Sequence, residues 1–92
     1  MQFRVAGVSF KADNIKLVLG RATEKRVMCR LEAEPDNKVD RNAVAVMAQG
    51  GIPIGYVPRH VVARYDDLDD KWGYLELGKW SRGVYGKVTL LR

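Results

Sequence analysis

Apolar residues alternate with polar ones through most of the chain, and the alternation breaks at regular intervals into turn-forming clusters. "FRVAGVSF" is rich in Val and Phe and predicts a first strand over residues 2–9. "DNIKLVLG" changes period. Ile15, Val18 and Leu19 fall at helical spacing, with Asp13 as N-cap and Gly20 as the stop. Strand two follows over 25–34, with Val27, Cys29 and Leu31 on one face. A polar loop then runs into "NAVAVMA" (42–48), the third strand. The paired glycines of "QGG" supply the positive φ of a hairpin turn into strand four, 52–57. Pro53 in that strand predicts an edge or a bulge, because it has no N–H to give a neighbour. Pro58 then opens a second helix whose Val61, Val62, Tyr65 and Leu68 share a face. The aspartates of "DDLDD" oppose the helix dipole and predict its end near residue 68. Two closing strands, 73–80 and 83–92, flank a turn at Ser81-Arg82-Gly83. Six short strands and two short helices predict a mainly β (α+β) fold, a small, strongly bent antiparallel barrel. The glycines at 7, 55, 83 and 86 permit the sharp bends or close approaches such a sheet requires.

Ninety-two residues make one domain, 1–92, with no room for a second core. No apolar run reaches the roughly 18–20 residues of a membrane span, and the N-terminus lacks the pattern of a signal peptide. The lone Cys29 reads as a buried thiol and forms no internal disulfide, so a cytoplasmic location is expected. One Cys and one His, His60, argue against a structural zinc site. No metal or other cofactor is expected. Sixteen Lys and Arg against eleven Asp and Glu give a net charge of +5. Four of those acids are Asp66, Asp67, Asp69 and Asp70, so the rest of the chain is more basic than the total suggests. An anionic partner is the first functional expectation, nucleic acid phosphates above all.

Three stretches, "VAGVSF", "EPDNKVDRNAVAV" and "GGIPIGYVPRHVVARY", resemble in order and spacing the HIRAN domain family. The resemblance covers about residues 4–70. It implies an OB-like β-barrel that recognises the free 3′ end of single-stranded DNA, in DNA repair or replication-fork processing. A helicase or nuclease, encoded separately, is a candidate further partner, and the sequence does not decide between that and a chain that acts alone. In that family a loop aspartate hydrogen-bonds the terminal 3′-hydroxyl, and this position matches Asp40. The carboxamide that shapes the pocket matches Asn37, the stacking aromatic matches Phe10, and a basic residue matches Arg59. Tyr56 stands where a histidine can appear. Lys11, Lys38 and Arg41 would contact phosphates more weakly. Two positions depart from the pattern: Val39 replaces a second stacking aromatic, and Ser9 replaces an arginine.

Taken without the family, the same residues leave alternatives open. Asp40 can close an Asx-turn or keep an oxygen for a ligand hydroxyl. Asn37 suits a turn because it tolerates left-handed backbone. Phe10 is either a core plug or an exposed stacking ring. Arg59 is either a solvated side chain or a phosphate ligand beside a helix N-terminus. His60 reads as a surface residue or part of that helix's cap. Lys11, Lys16, Arg21, Lys25 and Arg26 form either a solvated face or a track of cations toward the loop. Trp72, Tyr74 and Trp80 lie among alternating neighbours, which favours packing, and "DDLDD" reads as a solvated acidic patch. Enzyme motifs are missing: there is no P-loop, no H-E-x-x-H and no G-x-S-x-G. Glu32 and Glu34 could share a strand face as a two-carboxylate site, but nothing basic and catalytic accompanies them. The sequence therefore predicts a non-enzymatic module for single-stranded DNA, with a protein-interaction adaptor on the same barrel as the alternative.

Overall fold

The computed structural model describes residues 1–21, 26–81 and 83–91. Six strands form one antiparallel sheet: β1 (Gln2–Arg4), β2 (Arg26–Ala33), β3 (Val44–Ala48), β4 (Ile52–Tyr56), β5 (Trp72–Trp80) and β6 (Gly83–Leu90). Their order across the sheet is β1-β6-β5-β2-β3-β4. Helices α1 (Ala12–Arg21) and α2 (Arg59–Arg64) complete the fold, with a short 3-10 helix over Val8–Lys11. The sheet curls strongly into a half-barrel, as the sequence predicts. Its concave face carries the core. Ile15 and Val18 of α1 pack against Leu31, Val46, Ile54, Leu75 and Val88 from the strands. Cys29 is among the most completely buried side chains. Burial pushes its thiol up to about 11, and a backbone hydrogen bond at Gly73 opposes the shift.

The first strand is shorter than its alternation predicts, and the reason bears on function. β1 ends at Arg4, and Val5 N–H still donates to Gly86 O on the β6 side at 2.9 Å. Ala6 then changes partner. Its N–H donates to Tyr56 O at 2.7 Å, and Tyr56 N–H donates back to Ala6 O at 2.8 Å. This bridge joins the two ends of the sheet order, β1 and β4, and closes the curl on one side. Gly55 makes the closure possible, because a Cβ there would lie 2.4 Å from Ala6 O and 2.6 Å from Val5 Cγ1. Gly7, at φ 71°, then turns the chain out of the sheet into the 3-10 helix.

The other elements follow prediction with shifted ends. Gly20 does not stop α1, which runs through it to Arg21, and Asp13 sits inside the first turn instead of capping it. β3 begins at Val44, because Asn42 and Ala43 complete a turn. Gly50 and Gly51 adopt φ 90° and 77° in the hairpin turn. Pro53 lies on the edge strand β4 beside a register shift. Helix α2 is six residues long and stops at Arg64, short of 68. Tyr65 turns extended and carries Leu68 into the core separately. The aspartates after it are tied down more than a solvated patch requires. Asp69 Oδ1 accepts the Ala33 N–H at 2.8 Å, and Asp70 Oδ1 pairs with Arg30 at 3.3 Å. Lys25 of the predicted second strand and Arg82 of the last turn lie outside the described residues.

Candidate nucleic-acid interface

The polar loop between β2 and β3 is held together by its own carboxamide. The Asn37 side-chain oxygen accepts the N–H groups of Val39 at 2.9 Å and Asp40 at 3.0 Å. Its amide donates to Glu34 Oε1 at 3.0 Å. Asn37 is therefore the hub of the turn, which matches the turn-forming alternative. Asp40 divides its carboxylate. Oδ1 accepts the Asn42 N–H at 2.9 Å in an Asx-turn, while Oδ2 faces Arg59 Nε at 3.5 Å. The Arg59 side chain is 80% exposed and that of Asp40 27%. A pair this open to water contributes little stability, so Oδ2 is held loosely and can exchange partners.

A cleft of about 370 Å³ opens beside this loop. Asn37, Val39 and Asp40 form one wall, and Gly7 and Phe10 form another. Ala6, Ala43, Tyr56 at the end of β4, Val57 just after it, and Arg59 and Val62 of α2 complete the lining. Residues 10, 37, 40, 56 and 59, scattered through half the sequence, thus meet at one cavity. Its volume falls in the range of ordinary small-ligand sites. The Ala6–Tyr56 bridge explains why they converge, since it brings the start of the chain to the end of β4.

The Phe10 ring is 88% exposed, which removes the core-plug alternative. It is presented by the 3-10 turn, where Phe10 N–H donates to Gly7 O at 3.1 Å. Val39 is 86% exposed on the facing loop. The Tyr56 phenol is pushed above its ordinary range, chiefly because its hydroxyl hydrogen-bonds to the Glu34 carboxylate. Partial burial and the Glu34 charge add to the shift, and a hydrogen bond with Asn37 opposes it. The phenol thus stays neutral and joins β4 to the loop.

The weaker phosphate candidates are dispersed. Lys38 and Arg41 line a recess on the far side of the loop. Arg41 also lines a groove of about 650 Å³ between the loop and α2, where Asp40 and Arg59 form the shared wall. Lys11 is half-buried at the end of the 3-10 helix and is not part of the cleft lining. His60 is exposed outside the cleft. Arg26 pairs with Glu76 at 3.6 Å, while the Arg21 side chain and Lys25 lie outside what the structure describes. The carboxylates of Glu32 and Glu34 are separately engaged, by Arg30 at 3.9 Å and by Asn37. Among the described residues, no three potential metal ligands converge. No helix among them is long and apolar enough to cross a membrane.

Sequence reasoning did not anticipate Glu34 as the partner of Tyr56, nor Ala43, Val57 and Val62 as cleft lining. Adjacent turn residues gave no sign of the Glu34–Tyr56 contact, which exists only because β3 brings β4 back beside the loop. Trp72 and Tyr74 also depart from expectation. They face outward from β5 at 49% and 37% exposure, where packing was favoured.

In a comparison with known families, residues 1–74 match the HIRAN domain. No curated protein and no solved structure matches the chain.

Proposed function

From the premise that the chain belongs to the HIRAN domain family, generally a DNA-binding module, we propose that its cleft receives the free 3′-hydroxyl end of single-stranded DNA. The observation that carries this reading is the meeting of Phe10, Asn37, Asp40, Tyr56 and Arg59 at one cavity. Asp40 Oδ2 accepts the terminal hydroxyl, displacing its loose contact with Arg59. A carboxylate at that point repels a terminal phosphate, which makes the preference for a hydroxyl chemical as well as steric. Phe10 offers its exposed ring to the last base. Arg59, released from Asp40, holds the adjacent phosphate. Asn37 fixes the loop, and Tyr56 ties it to β4. None of these roles breaks a bond. The protein acts as a binding module in the cytoplasm, delivering an end to a helicase or nuclease encoded separately.

Fluorescence anisotropy with a short labelled strand tests the reading, using 3′-hydroxyl and 3′-phosphate ends at two salt concentrations. The hydroxyl end is expected to bind more tightly, Asp40→Ala to erase that preference, and both affinities to fall as salt rises. Equal binding of the two ends by the unaltered protein would refute end recognition. The exposed Val39, where the family places an aromatic, favours a second reading as a protein-interaction adaptor. That reading predicts no salt-sensitive binding to either strand.

A further inference from the structure

The convex face of the sheet carries a cross-strand row of charges that does not balance. Arg4 of β1 lies opposite Lys87 of β6, Lys87 opposite Glu76 of β5, and Glu76 opposite Arg26 of β2. Glu76 is taken by Arg26 at 3.6 Å. Among the described residues, Arg4 and Lys87 have no ion-pair partner. Like charges directly opposite on neighbouring strands sit about 5 Å apart at Cβ and destabilise the pair. A polyanion laid across the row removes that cost.

Beside the row, on the same face, stand the exposed rings of Trp72 and Tyr74. They are two residues apart on β5, about 7 Å, a spacing suited to successive bases of a stretched single strand. The Arg26 guanidinium lies 5.4 Å from the Tyr74 ring centre and holds that ring in place. Arg30, opposite Trp72, is already neutralised by Glu32 and Asp70. The free positive charge therefore belongs to Arg4 and Lys87. Aromatic rings on a sheet face with unpaired cations alongside are what single-stranded nucleic acid needs, since every base has a face to stack and every phosphate a charge to place.

We propose that this convex face is a second site, which binds single-stranded nucleic acid along its length. Trp72 and Tyr74 stack bases there, and Arg4 and Lys87 hold phosphates. The site needs no strand end. Circular single-stranded DNA, which has none, is the probe that isolates it. The protein is expected to bind such circles in a salt-sensitive manner. Trp72→Thr/Tyr74→Thr, which keeps residues suited to strands, is expected to weaken that binding about five-fold or more. Arg4→Gln/Lys87→Gln is expected to weaken it and to flatten its salt dependence.

A second measurement covers the case in which the aromatic variant fails to fold. In Trp80→Phe, Trp72 is the one remaining tryptophan, and its emission should be quenched as circles are added. No binding of circles, equal binding by the aromatic variant, or unquenched Trp72 emission would each overturn the proposal. So would sedimentation showing that Trp80→Phe self-associates through this face and that circles do not compete. The ratio of 3′-hydroxyl to 3′-phosphate affinity reports the cleft alone, so failure there and failure here are separate results.

Discussion

At the scale of single residues, the cleft offers one exposed aromatic ring where the family pattern supplies two. Phe10 stands on one wall, and Val39 occupies the facing position with 86% of its surface open. A ring at residue 39 would meet solvent, not packed neighbours, so the fold has no reason to resist it. Stacking contributes about 1–3 kcal/mol per base. Val39→Tyr is therefore expected to tighten binding of a 3′-hydroxyl strand about five- to a hundred-fold, read by anisotropy, with little change in thermal stability. Unchanged affinity would mean that the last bases do not pass between residues 10 and 39. Cys29 makes the opposite point, that burial can suppress chemistry. Its folded pKa of about 11 lies above the value of 9.0 expected when exposed. The folded state thus keeps a proton that the unfolded state releases once the pH exceeds about 9. This group leaves stability unchanged below that pH and lowers it progressively up to about pH 11, by roughly 3 kcal/mol in all. Urea denaturation at pH 8, 9 and 10.5 should show the loss in the unaltered protein. Cys29→Ala, which has no thiol to titrate, should lack this part of it.

At the scale of elements, the decisive joint is the antiparallel bridge between Ala6 and Tyr56. Gly55→Ala would push a methyl group against Ala6 O and Val5, both part of that joint. The backbone cannot swing aside as a side-chain tip can, so the closure must open. A cost of about 1–3 kcal/mol is expected from overpacking, visible as a lower urea midpoint. Selectivity for the 3′-hydroxyl should fall with it, because Tyr56 and Phe10 flank the joint. Gly78→Ala is the informative contrast, since the obstacle there is the tip of the Tyr85 ring on the convex face. The same joint marks what could be read in the sequence. Strand alternation predicts β2 to β6 closely, and the turn residues of 34–43 behave as their chemistry dictates. The first segment misled. "FRVAGVSF" alternates like one strand, yet Gly7 at φ 71° turns the chain out of the sheet after Ala6 has exchanged β6 for β4. Alternation registers which residues face a core and carries no information about which strand supplies the partner. Phe10 was ambiguous for the same reason, as its exposure depends on a turn that period alone does not encode. α2 also fell short, because Val61, Val62, Tyr65 and Leu68 fit a helical face while Tyr65 is in fact extended.

At the scale of the molecule, the family match and the folding unit have different extents. The match ends at residue 74, just inside β5. The rest of β5 and all of β6 lie beyond it, and the sheet depends on them. β6 is the strand that pairs with β1, and β5 pairs with both β2 and β6. Leu75, Leu77, Val84 and Val88 from this region are core residues, with Leu75 and Val88 wholly buried. A fragment of residues 1–74 would leave β1 without its partner strand and the core open along one side. A domain of this size has little stability to spare. The fragment is expected to show no cooperative thermal transition by circular dichroism and no dispersed amide spectrum, whereas residues 1–92 show both. A folded 1–74 fragment would mean that β1 and the cleft are held by the Ala6–Tyr56 bridge and α1 alone. The expected result would instead place the convex rings of β5, the cationic row that crosses β6, and the 3′-end cleft on one cooperative unit. Binding at either surface would then raise the stability of both, by the mass-action rule that a ligand of the folded state opposes unfolding.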